Sequence, residues 1–144
     1  MEFRLLNEND LESLLELYVQ LDEGNRSLTI EKVREVWETI KLNKNIKYFG
    51  AVDNGKVVST CYTMIIPNLT AGSRPICFLE NVVTDEKYRR QGLAKKVIDM
   101  ATEDARANNC YKVILESSQK RTEAHKFYEK IGFSIEKKAF IKRF

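Results

Sequence analysis

Residues 88–105, YRRQGLAKKVIDMATEDA, set Arg89, Arg90, Lys95 and Lys96 around Gln91 and Gly92 at the mouth of a helix. The first turn of a helix leaves backbone N–H groups unpaired and carries the positive end of the helix dipole. A glycine there lets the main chain approach a bulky polyanion, and the cationic side chains add charge-assisted hydrogen bonds. The chemistry this arrangement suits is capture of a pyrophosphate. A charge run of this kind also fits an ordinary solvated helix start, and the spacing alone does not separate the two. The chain has neither a GxxxxGK[ST] loop nor a GxGxxG turn, which weighs against ATP and NAD.

The elements that must position this mouth are legible around it. The run ICFLENVVT before it is apolar except for Glu80 and Asn81 and reads as a strand that carries a carboxylate. The helix that follows has Leu93, Val97, Ala101 and Ala105 on one face. YKVILE is then a short buried strand, Thr122 caps a helix through about Lys130, Gly132 suits its end, and FSIEKKAFIKRF reads as one or two closing strands. Upstream, a strand over 3–6 leads to Asn7 and Asp10, a helix cap before Leu11, Leu14, Leu15 and Tyr18. DEGNRS is a loop able to reach over a site, and Thr29 caps a second helix with the stripe Val33, Val36, Trp37 and Ile40. IKYFGAV and KVVSTCYTMII form a hairpin, because Asn54-Gly55 supplies the positive φ angles of a tight turn. The order is βααβββαβαβ, with room for one more strand.

Composition bounds the function. The 144 residues suit one compact domain spanning 1–144, and 43% hydrophobic with 31% charged residues is too apolar for disorder. A net charge of +3, with acidic and basic residues interleaved, excludes a general nucleic-acid scaffold. MEFRLLNEND lacks the apolar segment of a secretory signal, and no stretch approaches the ~20 apolar residues of a membrane span, so a cytoplasmic location without membrane partners is expected. Cys61, Cys77 and Cys110 are too few and too scattered for a disulfide framework or a metal knuckle and read as buried free thiols. His125, the one histidine, has no companions at metal spacing, so no metal site is expected.

ENVVTDEKYRRQGLAKKVI followed by YKVILESSQKRTEAHKFYEKIGF resembles the GNAT family of N-acetyltransferases. In that family Arg/Gln-x-x-Gly-x-Gly/Ala cradles the pyrophosphate of acetyl-CoA, and Arg89, Arg90, Gln91, Gly92, Leu93 and Ala94 match it in order, with Lys95 beside them. FYEKIGF matches a second hallmark. KRTEAHKFYEKIGF is similar to aminoalkylphosphonate N-acetyltransferases, and CYKVILESS with KFYEKIGF to glucosamine-phosphate N-acetyltransferases. The first 70 residues carry no comparably specific motif.

The resemblance implies an α/β fold with a central, mixed, mostly antiparallel twisted sheet of six to seven strands, flanked by four helices and splayed between the fourth and fifth strands. It implies acetyl-CoA as co-substrate, a small-molecule primary amine as acceptor, direct transfer in a ternary complex, and leaves room for a homodimer. Val82, Val83 and Thr84 would bind the cofactor through their main chain, the Val82 N–H facing the developing oxyanion. Ser117 and Arg121 would also line the cofactor, Arg121 standing where many members carry Asn and reaching a phosphate instead. Glu80 would take the proton of an ammonium whose pKa is near 10.4, and Tyr128 would return one to a thiolate whose conjugate acid has a pKa of about 8.5. Glu80 also fits a strand carboxylate paired to a neighbour, and Tyr128 a core aromatic. Arg26, Arg74 and Arg121 are the cations that could favour an anionic acceptor, although each also fits an ordinary surface arginine. The alternatives are an acetyltransferase for a protein N-terminus or lysine, and a non-catalytic acyl-CoA-binding regulatory module.

Overall fold

A computed structural model describes residues 1–144, in two compact units, Met1–Ile114 and Leu115–Phe144. The elements run β1 (Glu2–Leu5), α1 (Leu11–Leu21), α2 (Ile30–Lys41), β2 (Ile46–Asp53), β3 (Lys56–Ile66), β4 (Ile76–Thr84), α3 (Leu93–Ala107), β5 (Lys112–Leu115) and α4 (Thr122–Lys130). This is the expected order through α4.

In the first unit, β1 to β4 form antiparallel neighbours and β5 follows β4 in the sheet. The β2–β3 hairpin turns on Asn54 and Gly55, with φ of 49° and 77°, as the type I′ preference demands. Helices α1 and α2 cover one face. Leu11, Leu14 and Leu17 of α1 and Trp37 of α2 pack there against Val52, Val57 and Val83. The stripe foreseen on α2 is narrower than expected, since Val36 is 47% exposed while Val33, Trp37 and Ile40 pack. Helix α3 covers the other face, burying Leu93, Val97, Ile98, Ala101 and Ala105.

The start of α1 is fixed by an ion pair that local patterning did not show. Asn7 and Asp10 form the expected capping box, around a 3-10 turn at Glu8–Asp10. Asp10 is also buried and accepts from Arg4 Nη1 and Nη2 at 2.7 and 2.8 Å, tying β1 to the first turn. The loop between α1 and α2 is a 3-10 turn, Glu23–Ser27.

In the second unit α4 closes on Gly132 (φ 102°), with Phe133 N–H donating back to Tyr128 C=O at 3.0 Å. No side chain caps the helix: the N-cap residue is Arg121, and the expected cap Thr122 is its first residue. Residues 133–144 form no strand, so the sheet has five strands rather than six to seven. A strand needs a partner ladder as well as apolar residues. Phe140 and Ile141 are adjacent rather than alternating, and the charged Lys137, Lys138, Lys142 and Arg143 interrupt the segment.

Candidate active site

The site-forming feature of β4 is a register slip. Tyr62 of β3 faces Glu80 and Thr60 faces Val83, so one residue of β3 opposes two of β4. The extra residue is a β-bulge, and Asn81 takes its positive φ of 52°. Asparagine tolerates this left-handed conformation better than most residues, which explains a polar side chain in an apolar run. Side chains alternate along a regular strand, yet Glu80 and Val83, three apart, share the α1/α2 face because the bulge resets the alternation.

Glu80 stands at the end of a row on that face. The Trp37 ring meets Tyr48 edge-on at 5.4 Å, Tyr48 stacks on Tyr62 at 4.9 Å, and Tyr62 faces Glu80 across the strands. Burial pushes the Tyr48 phenol up to about 12, with Tyr62 adding to it. Burial, then the Glu80 charge, raises the Tyr62 phenol. A depression of about 440 Å³, bounded by Asn7, Glu8, Ile40, Lys41 and Lys47, opens beside Trp37 and Tyr48, toward the other end of the row from Glu80.

Val82, Val83 and Thr84 complete β4, and Thr84 Oγ1 lies 2.7 Å from Ser59 Oγ. The connection to α3 is held down from both sides. Gln20 of α1 donates to Asp85 Oδ2 at 3.0 Å and accepts from the Glu86 N–H at 3.0 Å, while Tyr88 donates to Asp53 at 2.9 Å. Burial opposes ionisation of Asp85, but the Lys87 N–H and the Gln20 amide outweigh it and hold the carboxyl below its ordinary range.

The loop then curls through two positive-φ residues, Arg90 (62°) and Gly92 (77°), into α3. The first bond into this helix runs from Lys96 N–H to Gly92 C=O, so the N–H groups of Leu93, Ala94 and Lys95 precede it, and no side chain caps them. A Cβ added at Gly92 would meet nothing within 4 Å. An open approach, uncapped N–H groups and exposed cations fit a phosphate-bearing cofactor. The cations differ in availability: Arg89 Nε braces the loop on Thr84 C=O at 3.2 Å, Lys95 pairs with Asp99 at 2.6 Å, and Lys96 lies 5.1 Å over the Phe3 ring. Gln91 donates to Lys87 C=O at 3.3 Å.

In the second unit, Tyr128 is buried between the rings of Phe127 and Phe133 at 5.4 and 6.1 Å. Ser117 Oγ is buried without a protein hydrogen-bond partner, and Arg121 is exposed. His125 Nε2 lies 2.9 Å from Ser118 C=O, a local structural contact.

Two of the three arginines considered for an anionic acceptor are committed elsewhere. Arg26 pairs with Glu23 at 3.0 Å in an exposed i,i+3 pair. Arg74 donates to Asn109 C=O and Cys110 C=O at 3.2 and 3.0 Å and braces the chain between α3 and β5. All three cysteines are free and buried, and burial pushes the Cys61 and Cys77 thiols up to about 12, which leaves little thiolate for acyl transfer. The sequence reading did not find the bulge, the Tyr48–Tyr62 stack or the Gln20 clip. The signal for the bulge was Asn81 itself, a turn-forming residue inside a strand pattern.

The first unit is a five-stranded sheet with helices on both faces, bulged in β4 just before a glycine-turned helix N-terminus. The Acetyltransferase (GNAT) family model matches residues 11–133, and the chain belongs to that family of acetyl-CoA-dependent N-acetyltransferases. It is 38% identical over 133 residues to a glucosamine 6-phosphate N-acetyltransferase of Trypanosoma brucei brucei, covering 92% of this chain and 88% of the relative. A putative acetyltransferase from Agrobacterium tumefaciens superposes with a TM-score of 0.94 at 38% identity, over 99% of each chain. The glucosamine-6-phosphate N-acetyltransferase of Arabidopsis thaliana superposes with a TM-score of 0.85 at 29% identity, over 99% of this chain and 97% of that one.

Proposed function

We propose that this enzyme, acting as one N-acetyltransferase domain over residues 1–144, transfers the acetyl group of acetyl-CoA to the primary amine of a small phosphorylated amino sugar. The observation that carries the reading is the β4 bulge, which sets Glu80 on the α1/α2 face a few residues before the uncapped start of α3. Similarity to a glucosamine 6-phosphate N-acetyltransferase over 92% of the chain supports the acceptor class.

The main chain of Leu93, Ala94 and Lys95, with Arg90 and the other cations of residues 89–96, holds the pyrophosphate of the cofactor. Val82, Val83 and Thr84 pair with its pantetheine arm. The bound cofactor supplies an activated acetyl thioester. Glu80 accepts the ammonium proton, directly or through water, because only the free amine has the lone pair that attacks. The Val82 N–H steadies the charge that develops on the carbonyl oxygen. Tyr128 protonates the departing thiolate, while Ser117 and Arg121 contact the cofactor; these three assignments rest on the family resemblance.

The test is thiol release from acetyl-CoA with glucosamine 6-phosphate, glucosamine, an aminoalkylphosphonate, a plain alkylamine and a lysine peptide in parallel. The expected order puts glucosamine 6-phosphate first by kcat/KM. Preference for the peptide would assign a protein acetyltransferase instead, and cofactor binding without turnover on any amine would leave a regulatory acyl-CoA-binding module.

A further inference from the structure

Gln20 lies in the last turn of α1 and is exposed, yet both ends of its amide are engaged by one stretch of chain far away in sequence. Its Nε2 donates to Asp85 Oδ2 and its Oε1 accepts from the Glu86 N–H, each at 3.0 Å. Asp85 is buried and is the hub of the β4–α3 connection. Its Oδ1 accepts from Lys87 N–H at 2.9 Å, its C=O accepts from Tyr88 N–H at 2.8 Å, and its N–H donates to Val58 C=O at 2.9 Å. An ionised carboxylate only accepts and a backbone N–H only donates, so the Gln20 amide fits between them one way round. Downstream, Gln91 donates to Lys87 C=O at 3.3 Å, and Arg90 and Gly92 take positive φ before the uncapped N–H groups of α3. Water could satisfy an exposed amide at either end; here the amide instead gives the loop a fixed point of departure.

We propose, on the reading of residues 89–96 as the pyrophosphate cradle, that Gln20 is a positioning residue for the cofactor: its amide fixes where the chain leaves Asp85 and so sets the curl through Arg90 and Gly92 before acetyl-CoA arrives. A preformed loop binds more tightly because less of its freedom is lost on binding. Gln20 acts through the loop and touches no reacting atom, so the hold can be observed without any acceptor.

The test compares Gln20→Leu, Gln20→Glu, Asp85→Asn and the Gln20→Glu/Asp85→Asn double variant. Amide hydrogen exchange at Glu86, Lys87 and Tyr88 in the ligand-free protein is measured beside acetyl-CoA affinity by calorimetry. Gln20→Leu removes both bonds, and Gln20→Glu sets a second carboxylate against Asp85. Asp85→Asn opposes two donors, at Asp85 as the amide stands or at the Glu86 N–H if it turns over. The double variant reverses the polarity at unchanged net charge: the new asparagine donates to the new glutamate, which still accepts from the Glu86 N–H. Each single variant is expected to raise exchange by about tenfold and to weaken acetyl-CoA binding by about tenfold, and the double variant to restore both. Asp85→Asn separates the hold from charge, because losing a negative charge would by itself tighten binding of a polyanion. Tighter binding in Asp85→Asn, or losses in the single variants that persist in the double, would overturn the proposal. Should Asp85→Asn not fold, Gln20→Leu decides, and wild-type exchange or wild-type affinity in it would overturn the positioning role alone. A wild-type protein that binds no acetyl-CoA would instead overturn the cradle reading on which the role stands.

Discussion

Glu80 and Tyr62 face one another across β4 and β3, and the carboxylate charge helps hold the phenol protonated. The pair ends a row that starts at Trp37, so the carboxylate proposed above as the base has an aromatic flank. Such a flank limits water and holds the acid in a narrow range of positions, both of which favour a general base.

Replacing Glu80 by Gln removes the negative charge beside Tyr62. A like charge disfavours the phenolate, so its removal lowers the Tyr62 pKa while the larger effect of burial remains. Tyrosinate absorbance followed through alkaline titration, with Tyr62→Phe identifying the signal, measures the shift. In turnover the same variant loses most rate at low pH, where little free amine exists. An equal loss at every pH would assign Glu80 a purely structural part.

Gly92→Val weakens acetyl-CoA binding at least tenfold, about 1.4 kcal/mol. An added Cβ there meets no protein atom, so the loss comes from the φ of 77°, which valine resists, and from filling the cofactor's approach. Gly92→Asn separates the two causes, because asparagine tolerates this φ but still places a side chain in the approach. Calorimetry on both folded variants gives the answer. Wild-type affinity in both would remove the cradle.

Tyr128→Phe is expected to lower kcat by roughly 100-fold and leave acetyl-CoA affinity nearly intact, because in the proposed mechanism the hydroxyl acts only as the thiolate leaves. The Tyr128 ring packs with Phe127 and Phe133, contacts that a phenylalanine ring keeps. Wild-type turnover across the pH range would leave Tyr128 as a packing residue.

What the sequence disclosed was what short-range chemistry dictates. Asn54-Gly55 forces its turn, Thr29 caps α2 by accepting from Lys32 N–H, and Gly92 marks the start of α3 because the chain there needs positive φ. Features decided by a distant partner stayed hidden. The Arg4–Asp10 pair, the Gln20 hold on Asp85, 65 residues away, and the Tyr48–Tyr62 stack each need the sheet assembled before they exist. Glu80 stood out as a strand carboxylate, but its face depends on a bulge at Asn81 that strict alternation cannot place. Residues 133–144 erred the other way, as apolar content suggested strands for which the chain supplies no ladder.

Arg4→Met destabilises the fold by about 2–3 kcal/mol at neutral pH, because it strands the Asp10 carboxylate, 4% exposed, without its guanidinium. The Arg4 side chain is 33% exposed, which keeps the cost below that of a fully buried pair. The Arg4 hydrogen bond, against the opposing effect of burial, holds Asp10 below its ordinary value of 3.8. A depressed folded-state pKa contributes stability above the unfolded pKa and loses it as pH falls through the folded one. The gap between wild type and variant in urea melts is therefore full at neutral pH and shrinks below about pH 4. A gap that is constant down to pH 2 would mean that packing of the Arg4 stem, not the charge, carries the effect.

Arg74 tests the anionic-acceptor reading from the opposite side. Its guanidinium is spent on the carbonyls of Asn109 and Cys110, so it braces the α3–β5 connection instead of reaching for a phosphate. Arg74→Gln is expected to cost about 1 kcal/mol of stability, since the side chain is exposed and hydrogen bonds of this kind contribute modestly. The ratio of KM for glucosamine 6-phosphate to KM for glucosamine should not change, because both acceptors lose or keep the same scaffold. A rise confined to the phosphorylated acceptor would show that Arg74 leaves its carbonyls when substrate arrives, and would return it to the acceptor site.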